Sequence, residues 1–147
     1  MGVGPQYVLD KGFLATGATA YVFGEIVRAQ AGAVMTTTFN SIARATTATV
    51  LTTTAELLGV VQEDLDTVRL ATGKAEIGVR LLGIARVLSG AAVTAGTFVT
   101  NDATARAVTV TKAAGGAQQT LLLGFALTGA TAAGQYIDVL LTPGASH

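Results

Sequence analysis

The chain contains no cysteine and no tryptophan, and its single histidine is the last residue, His147. Without cysteine there is no disulfide framework, no thiolate metal site and no cysteine nucleophile. With one histidine there is no Ser-His-Asp triad and no multi-histidine metal site. Charge is scarce as well: 12% of the residues are charged, against about 25% in an average globular domain. Nine basic and nine acidic residues cancel to a formal net charge of zero. That balance argues against a protein living on nucleic-acid phosphates, which needs a basic face. Disorder is disfavoured too, because it goes with low hydrophobicity and high net charge. Little charge and none net does nothing to keep molecules apart in solution, and suits a subunit whose surface is covered in an assembly.

Long apolar runs are also missing, although the mean hydropathy is high at +0.56. A membrane-spanning helix needs roughly 20 consecutive, predominantly apolar residues. The longest uncharged stretch, Ala113 to Ile137, is broken by Gln118, Gln119, Gln135 and repeated glycines. Met1 to Lys11 shows no basic segment followed by an apolar one, so no signal peptide is expected. The expectation is a soluble protein, and 147 residues favour one domain.

What is present is glycine, alanine and threonine. Eighteen glycines punctuate the chain too often for long helices, and threonine is β-branched and suits strands. The cleanest pattern is Glu76 to Leu88: Ile77, Val79, Leu81, Gly83, Ala85 and Val87 alternate with positions that include Glu76, Arg80 and Arg86. Period two predicts a strand with one buried face, with Arg80 and Arg86 pointing outward or into an interface. Tyr136 to Leu141 alternates in the same way. Tyr21 to Arg28, Leu57 to Gln62, Thr97 to Thr100, Ala107 to Thr111 and Leu121 to Leu127 are further strands. A turn or two of helix is expected around Glu63 to Leu70. The fold class is therefore all-β, a small sandwich or barrel with at most one short helix. Residues 1–15, with Gly2, Gly4 and Pro5 near their start, read as an extended N-terminal arm that joins a sheet only at its end, and 16–147 as a single β domain. Within it, 29–56 is threonine-rich and reads as an extended or interface segment.

An internal echo runs through this pattern. Leu82-Gly83-Ile84-Ala85 and Leu123-Gly124-Phe125-Ala126 share one form, and Leu58-Gly59-Val60-Val61 is a partial third copy. Glycine at that place predicts a strand that bends, or that lets a neighbour cross closely.

Candidate chemistry is thin. None of the serines lies in a G-x-S-x-G elbow. Gly73-Lys74 matches the end of a phosphate loop, but Ala75 follows where Ser or Thr belongs. Glu63-Asp64-Leu65-Asp66 begins like a calcium loop and then offers Thr67, Val68 and Arg69 where further oxygen ligands should stand. A solvated turn or a helix N-terminus suits it better. An enzyme or ligand-binding barrel would have to work without histidine or cysteine.

Leu58–Asp64, Val79–Val87, Ala91–Gly96, Val99–Val108, the ending from Leu123–Ala126 to Asp138–Gly144, and the opening Tyr7–Gly12 together resemble head decoration proteins of tailed bacteriophages, also called capsid cement or stabilisation proteins. The likeness covers most of the chain and is weakest over 29–56. It implies a small β protein on the outer surface of an icosahedral capsid, made in the host cytoplasm. Its partners would be the major capsid protein and itself, as a homotrimer at threefold and quasi-threefold positions, with neither nucleic acid nor membrane. The resemblance implies no enzymatic activity, cofactor or metal. The alternative is another β-rich virion subunit: a tail tube, a fibre base or a host-surface adhesin module.

On that reading the arm is the predicted clamp. Pro5 keeps the start out of a regular element. Tyr7, Val8 and Leu9 then offer apolar side chains and backbone groups for strand addition to the shell or a neighbour.

Overall fold

The computed structural model describes residues 8–29, 41–46, 57–110 and 120–146. In chain order they form β1 (Leu9–Ala15), β2 (Ile26–Ala29), β3 (Ser41–Arg44), β4 (Leu57–Val61), α1 (Thr67–Leu70), β5 (Glu76–Leu88), β6 (Phe98–Asn101), β7 (Ala107–Thr109), β8 (Thr120–Ala126) and β9 (Tyr136–Ser146). The fold is all-β with one short helix among the described residues, as the sequence predicts, and of the two architectures expected it takes a barrel carrying extra strands. No described helix is long and apolar enough to cross a membrane.

The strand order explains why β5 is long. Strands β1, β3, β2, β4 and β5 follow one another, and β1 pairs again with β5, so the five close into a barrel. Beyond the barrel, β5 pairs with β9 from Gly83↔Leu141 to Leu88↔Tyr136, and β8, β6 and β7 continue this second sheet. One strand thus serves two sheets. The echo glycines sit where the strands crowd. A Cβ on Gly59 would lie 2.1 Å from the Arg80 carbonyl oxygen, and one on Gly124 would lie 2.1 Å from that of Leu140. Gly83 adopts φ +97°, where β5 passes from one sheet to the other.

Two hydrophobic cores result. Phe13, Ala15, Val27, Ile42, Val61, Ile77 and Val79 fill the barrel, joined by Tyr21, Leu65 and Leu70. Ile26, Leu57 and Val60 on the barrel's other face pack with Ala85, Val87, Val99, Leu123, Ile137 and Val139 of the second sheet. Ile26 and Val27, adjacent in sequence, therefore enter different cores, and so do Val60 and Val61. Strands between two cores carry apolar residues on both faces, which is why β2 and β4 lack alternation. Fully burying each such side chain is worth roughly 1.5–3 kcal/mol.

Several boundaries differ from expectation: β9 runs on past Leu141 to Ser146, and the helix is confined to Thr67–Leu70. The strand expected from Tyr21 starts at Ile26, because Gly24 turns the chain at φ +85°; Tyr21 itself makes an isolated bridge with Leu65. Within 1–15, β1 runs from Leu9 to Ala15, and Phe13 and Ala15 are buried in the barrel interior. Of the threonine-rich 29–56, residues 29 and 41–46 are described; Ala29 ends β2, and 41–46 include β3.

Candidate interaction surface

The polar groups that attract notice in the sequence are occupied by structure. Asp66 caps α1, its carboxylate accepting from the Arg69 N–H at 2.7 Å. Asp64 accepts from the Phe23 N–H at 2.7 Å, and Glu63 from the Gly78 N–H at 2.8 Å. The acidic cluster is a turn whose carboxylates bind backbone. Among the described residues no three His, Cys, Asp or Glu side chains gather where a metal ion would sit. An open depression of about 190 Å³ beside β2 and β3 is lined by Thr16, Thr19, Arg28, Arg44 and Thr46. Its Arg44 guanidinium is turned to the Glu25 carboxylate, which neutralises it. Burial pushes the Tyr21 phenol above its ordinary value, and its hydroxyl donates to the Thr16 carbonyl at 2.5 Å, a structural role.

The outer face of the second sheet is different. Ile84 stands opposite Leu140, Leu140 opposite Phe125, and Phe125 opposite Phe98, so one apolar row crosses β5, β9, β8 and β6. Residues directly opposite share a face of the sheet. Ile84 is 41% exposed, Leu140 40% and Phe98 51%. The Phe98 and Phe125 rings meet edge to face at 5.6 Å. Leu82, two residues before Ile84, is exposed as well and stands opposite exposed Leu9 on β1.

Charges of both signs bound this band. On one side the Arg80 guanidinium grips Asp10, Nε to Oδ1 at 2.8 Å and Nη2 to Oδ2 at 2.9 Å. The hydrogen bond from Arg80 holds the Asp10 carboxyl below its ordinary value. On the other side Arg86 stands opposite Asp138 in the β5–β9 register. An apolar centre with a charged rim is the anatomy of an interface.

Of the predicted contact residues, Pro5 and Tyr7 lie outside the described residues. Val8 and Leu9 are exposed, and Leu9 is the first residue of β1. Arg80 and Arg86 point away from the cores, as the alternation predicts; Arg80 bonds to Asp10, and Arg86 is exposed. The row itself is absent from the sequence-based site. Its signal was Leu82 and Ile84, apolar residues on the polar side of an otherwise clean alternation.

No family model matches the chain, and no curated protein matches it. Among solved structures, the fold is similar to the head fiber gp8.5 N base of bacteriophage phi29, with TM-score 0.58 and 14% identity, covering 96% of this chain and 99% of that one.

Proposed function

We propose that this chain is a structural, non-enzymatic component of a bacteriophage head. The observation that carries the reading is the match in fold, along nearly the whole of both chains, to the base of a phage head fiber. The exposed apolar row supports it, since a surface of that kind serves contact and not chemistry.

Within that class the finer reading is a decoration, or cement, protein. It sits on the outer capsid surface, as a homotrimer at threefold positions, and bridges neighbouring major capsid subunits. The resemblance of Leu58–Asp64, Val79–Val87 and Val99–Val108 to decoration proteins supports this. Pro5, Tyr7, Val8 and Leu9 contribute the arm contact. Bridging needs no catalysis: a ligand that binds the assembled shell and not the open one stabilises it by mass action.

A second reading, the base on which a head fiber stands, is favoured by the description of the structural neighbour. Mixing the protein with undecorated heads, sedimenting them and heating them separates the two. A cement protein co-sediments at many sites per head and raises the temperature of head disruption. A fibre base binds and leaves that temperature unchanged. Failure to bind heads at all removes both.

A further inference from the structure

The geometry points to the depression beside β2 and β3 as a carboxylate-binding site, with Arg28 as the group that holds the ligand. The inference goes beyond the proposed function and does not depend on a shell.

Charge is the first argument. Arg44 closes a two-nitrogen fork on Glu25, and Arg80 closes one on Asp10. Arg28, on β2, has no carboxylate partner among the described residues. None of the residues lining the depression is acidic, and Arg44, the second cation there, is already neutralised by Glu25. One positive charge is left over. In the sequence, 29–56 carries a single acid, Glu56.

Burial is the second argument. Arg28 is half-buried, and its Nε is shut off from water with no acceptor. A buried donor without an acceptor has lost its water and gained nothing in return. An anion arriving at that guanidinium therefore displaces little water and is weakly screened. Strand β2 holds the residue from both sides, since Arg28 stands opposite Ala43 of β3 and Leu57 of β4. Thr19 and Thr46, both exposed, line the same depression and bring hydroxyl donors.

The ligand class follows from these groups. One planar guanidinium carrying one unmatched charge suits a carboxylate, which is bidentate and singly charged. A phosphate dianion or a nucleic-acid strand asks for more than one free cation. The space, about 190 Å³, admits a carboxylate on a short carbon stem, either a free molecule or an acidic side chain.

Titrating the full chain with sodium acetate at constant ionic strength, followed by amide NMR shifts, tests this. The amides of Thr16–Thr19, Arg28 and Ala43–Thr46 should move together, with a dissociation constant between about 1 and 100 mM. Arg28→Gln should weaken binding about tenfold or more, and Arg28→Lys, which keeps the charge and loses the fork, should fall between. Arg69→Gln, at an exposed residue of α1, should change nothing. Inorganic phosphate should bind more weakly than acetate. Thermal melting by circular dichroism verifies that each variant folds, and Arg28→Lys serves if the glutamine variant does not. Sedimentation with undecorated heads then separates two sources of carboxylate. Retention lost in Arg28→Gln identifies an acidic side chain on the shell, and retention kept identifies a free small carboxylate. A chain that binds acetate through Arg28 yet ignores heads upholds the inference and removes the functional reading. The inference is overturned if no shifts appear up to about 100 mM acetate, if Arg28→Gln binds as well as the full chain, or if phosphate binds more tightly. Binding of acetate only after Glu56→Gln also overturns it, since the ligand would then be the chain's own carboxylate.

Discussion

Arg44 holds the buried carboxylate of Glu25 through two guanidinium nitrogens, Nε to Oε2 at 2.8 Å and Nη2 to Oε1, and the same Nη2 donates to the Thr104 carbonyl at 3.1 Å. Glu25 precedes β2 in the barrel, while Thr104 lies in the β6–β7 loop of the second sheet. The side chain therefore ties the two halves at a point where Glu25 is only 2% exposed. Hydrogen bonds from Ile26 N to Ala105 O at 2.8 Å, and from Asn101 Nδ2 to Ala45 O at 2.6 Å, run beside it.

Removing one partner of a buried pair strands the other charge, which typically costs about 3–5 kcal/mol. Arg44→Met should accordingly destabilise the fold by about 3 kcal/mol in urea unfolding. The double variant Glu25→Met with Arg44→Met should recover most of that loss. If the double variant is as unstable as Arg44→Met alone, the pair is not what holds the halves together.

Asp10 and Arg80 predict an acid-dependent effect of modest size. The hydrogen bond from Arg80 keeps the Asp10 carboxyl below 3.8 in the folded protein. A depressed carboxyl contributes stability that is present above its unfolded value and is lost as pH falls through its folded value. The contribution is thus complete at neutral pH and disappears only below pH 3.8. With side chains 24% and 45% exposed, solvent screens the pair, and Asp10→Asn should cost less than about 1 kcal/mol at pH 7. The difference between the two proteins should shrink in unfolding measured at pH values progressively below 3.8.

Gly124 and Gly96 separate two reasons for glycine. Gly96 has φ +86° and open space where a Cβ would stand, so Gly96→Ala meets only backbone strain, about 1–2 kcal/mol. At Gly124 the new methyl would fall 2.1 Å from the Leu140 backbone oxygen, which cannot move without breaking the β8–β9 pairing. Gly124→Ala should cost more than about 3 kcal/mol. Equal melting temperatures for the two variants would contradict the close approach.

These glycines also show how far the sequence could be read. The repeated Leu-Gly pairs signalled crowding or bending in the strands, and the structure has both, close approach at Gly59 and Gly124 and the left-handed bend at Gly83. Strand β5 was legible from Glu76 to Leu88 because Ile77, Val79, Ala85 and Val87 alternate as buried residues, although Leu81 is only half-buried and Leu88, on the other face, is buried too. Strand β2 was legible only as a vague apolar run, since Ile26 and Val27 face two cores and no period survives. Closure of the barrel was hidden: it depends on the β1–β5 and β1–β3 pairings, contacts between distant segments that local pattern does not encode. The apolar row stayed out of sight for the same reason. Ile84, Leu140, Phe125 and Phe98 come from four strands, and only the register aligns them.

The register of β1 sharpens the test of the N-terminal arm. Leu9 already pairs with Leu82, and Phe13 is buried in the barrel, so a truncation must stop short of both. Deleting residues 2–7 removes Pro5 and Tyr7 and leaves β1 whole. The shortened protein should melt at the temperature of the full chain. Deleting 2–15 takes β1 out of the barrel and should prevent folding. If the arm clamps the subunit to the shell, the 2–7 deletion loses retention on capsids while its fold is untouched. An arm that orders on binding contributes modest affinity alone. Linked in a trimer, the second and third arms bind intramolecularly, with gains of about 10² to 10⁴. If the chain is the trimer proposed above, loss of the arms should weaken retention far more than one arm's contacts suggest. A 2–7 deletion that binds and protects heads against heat as well as the full chain would remove the arm from the mechanism and leave the sheet face to carry it.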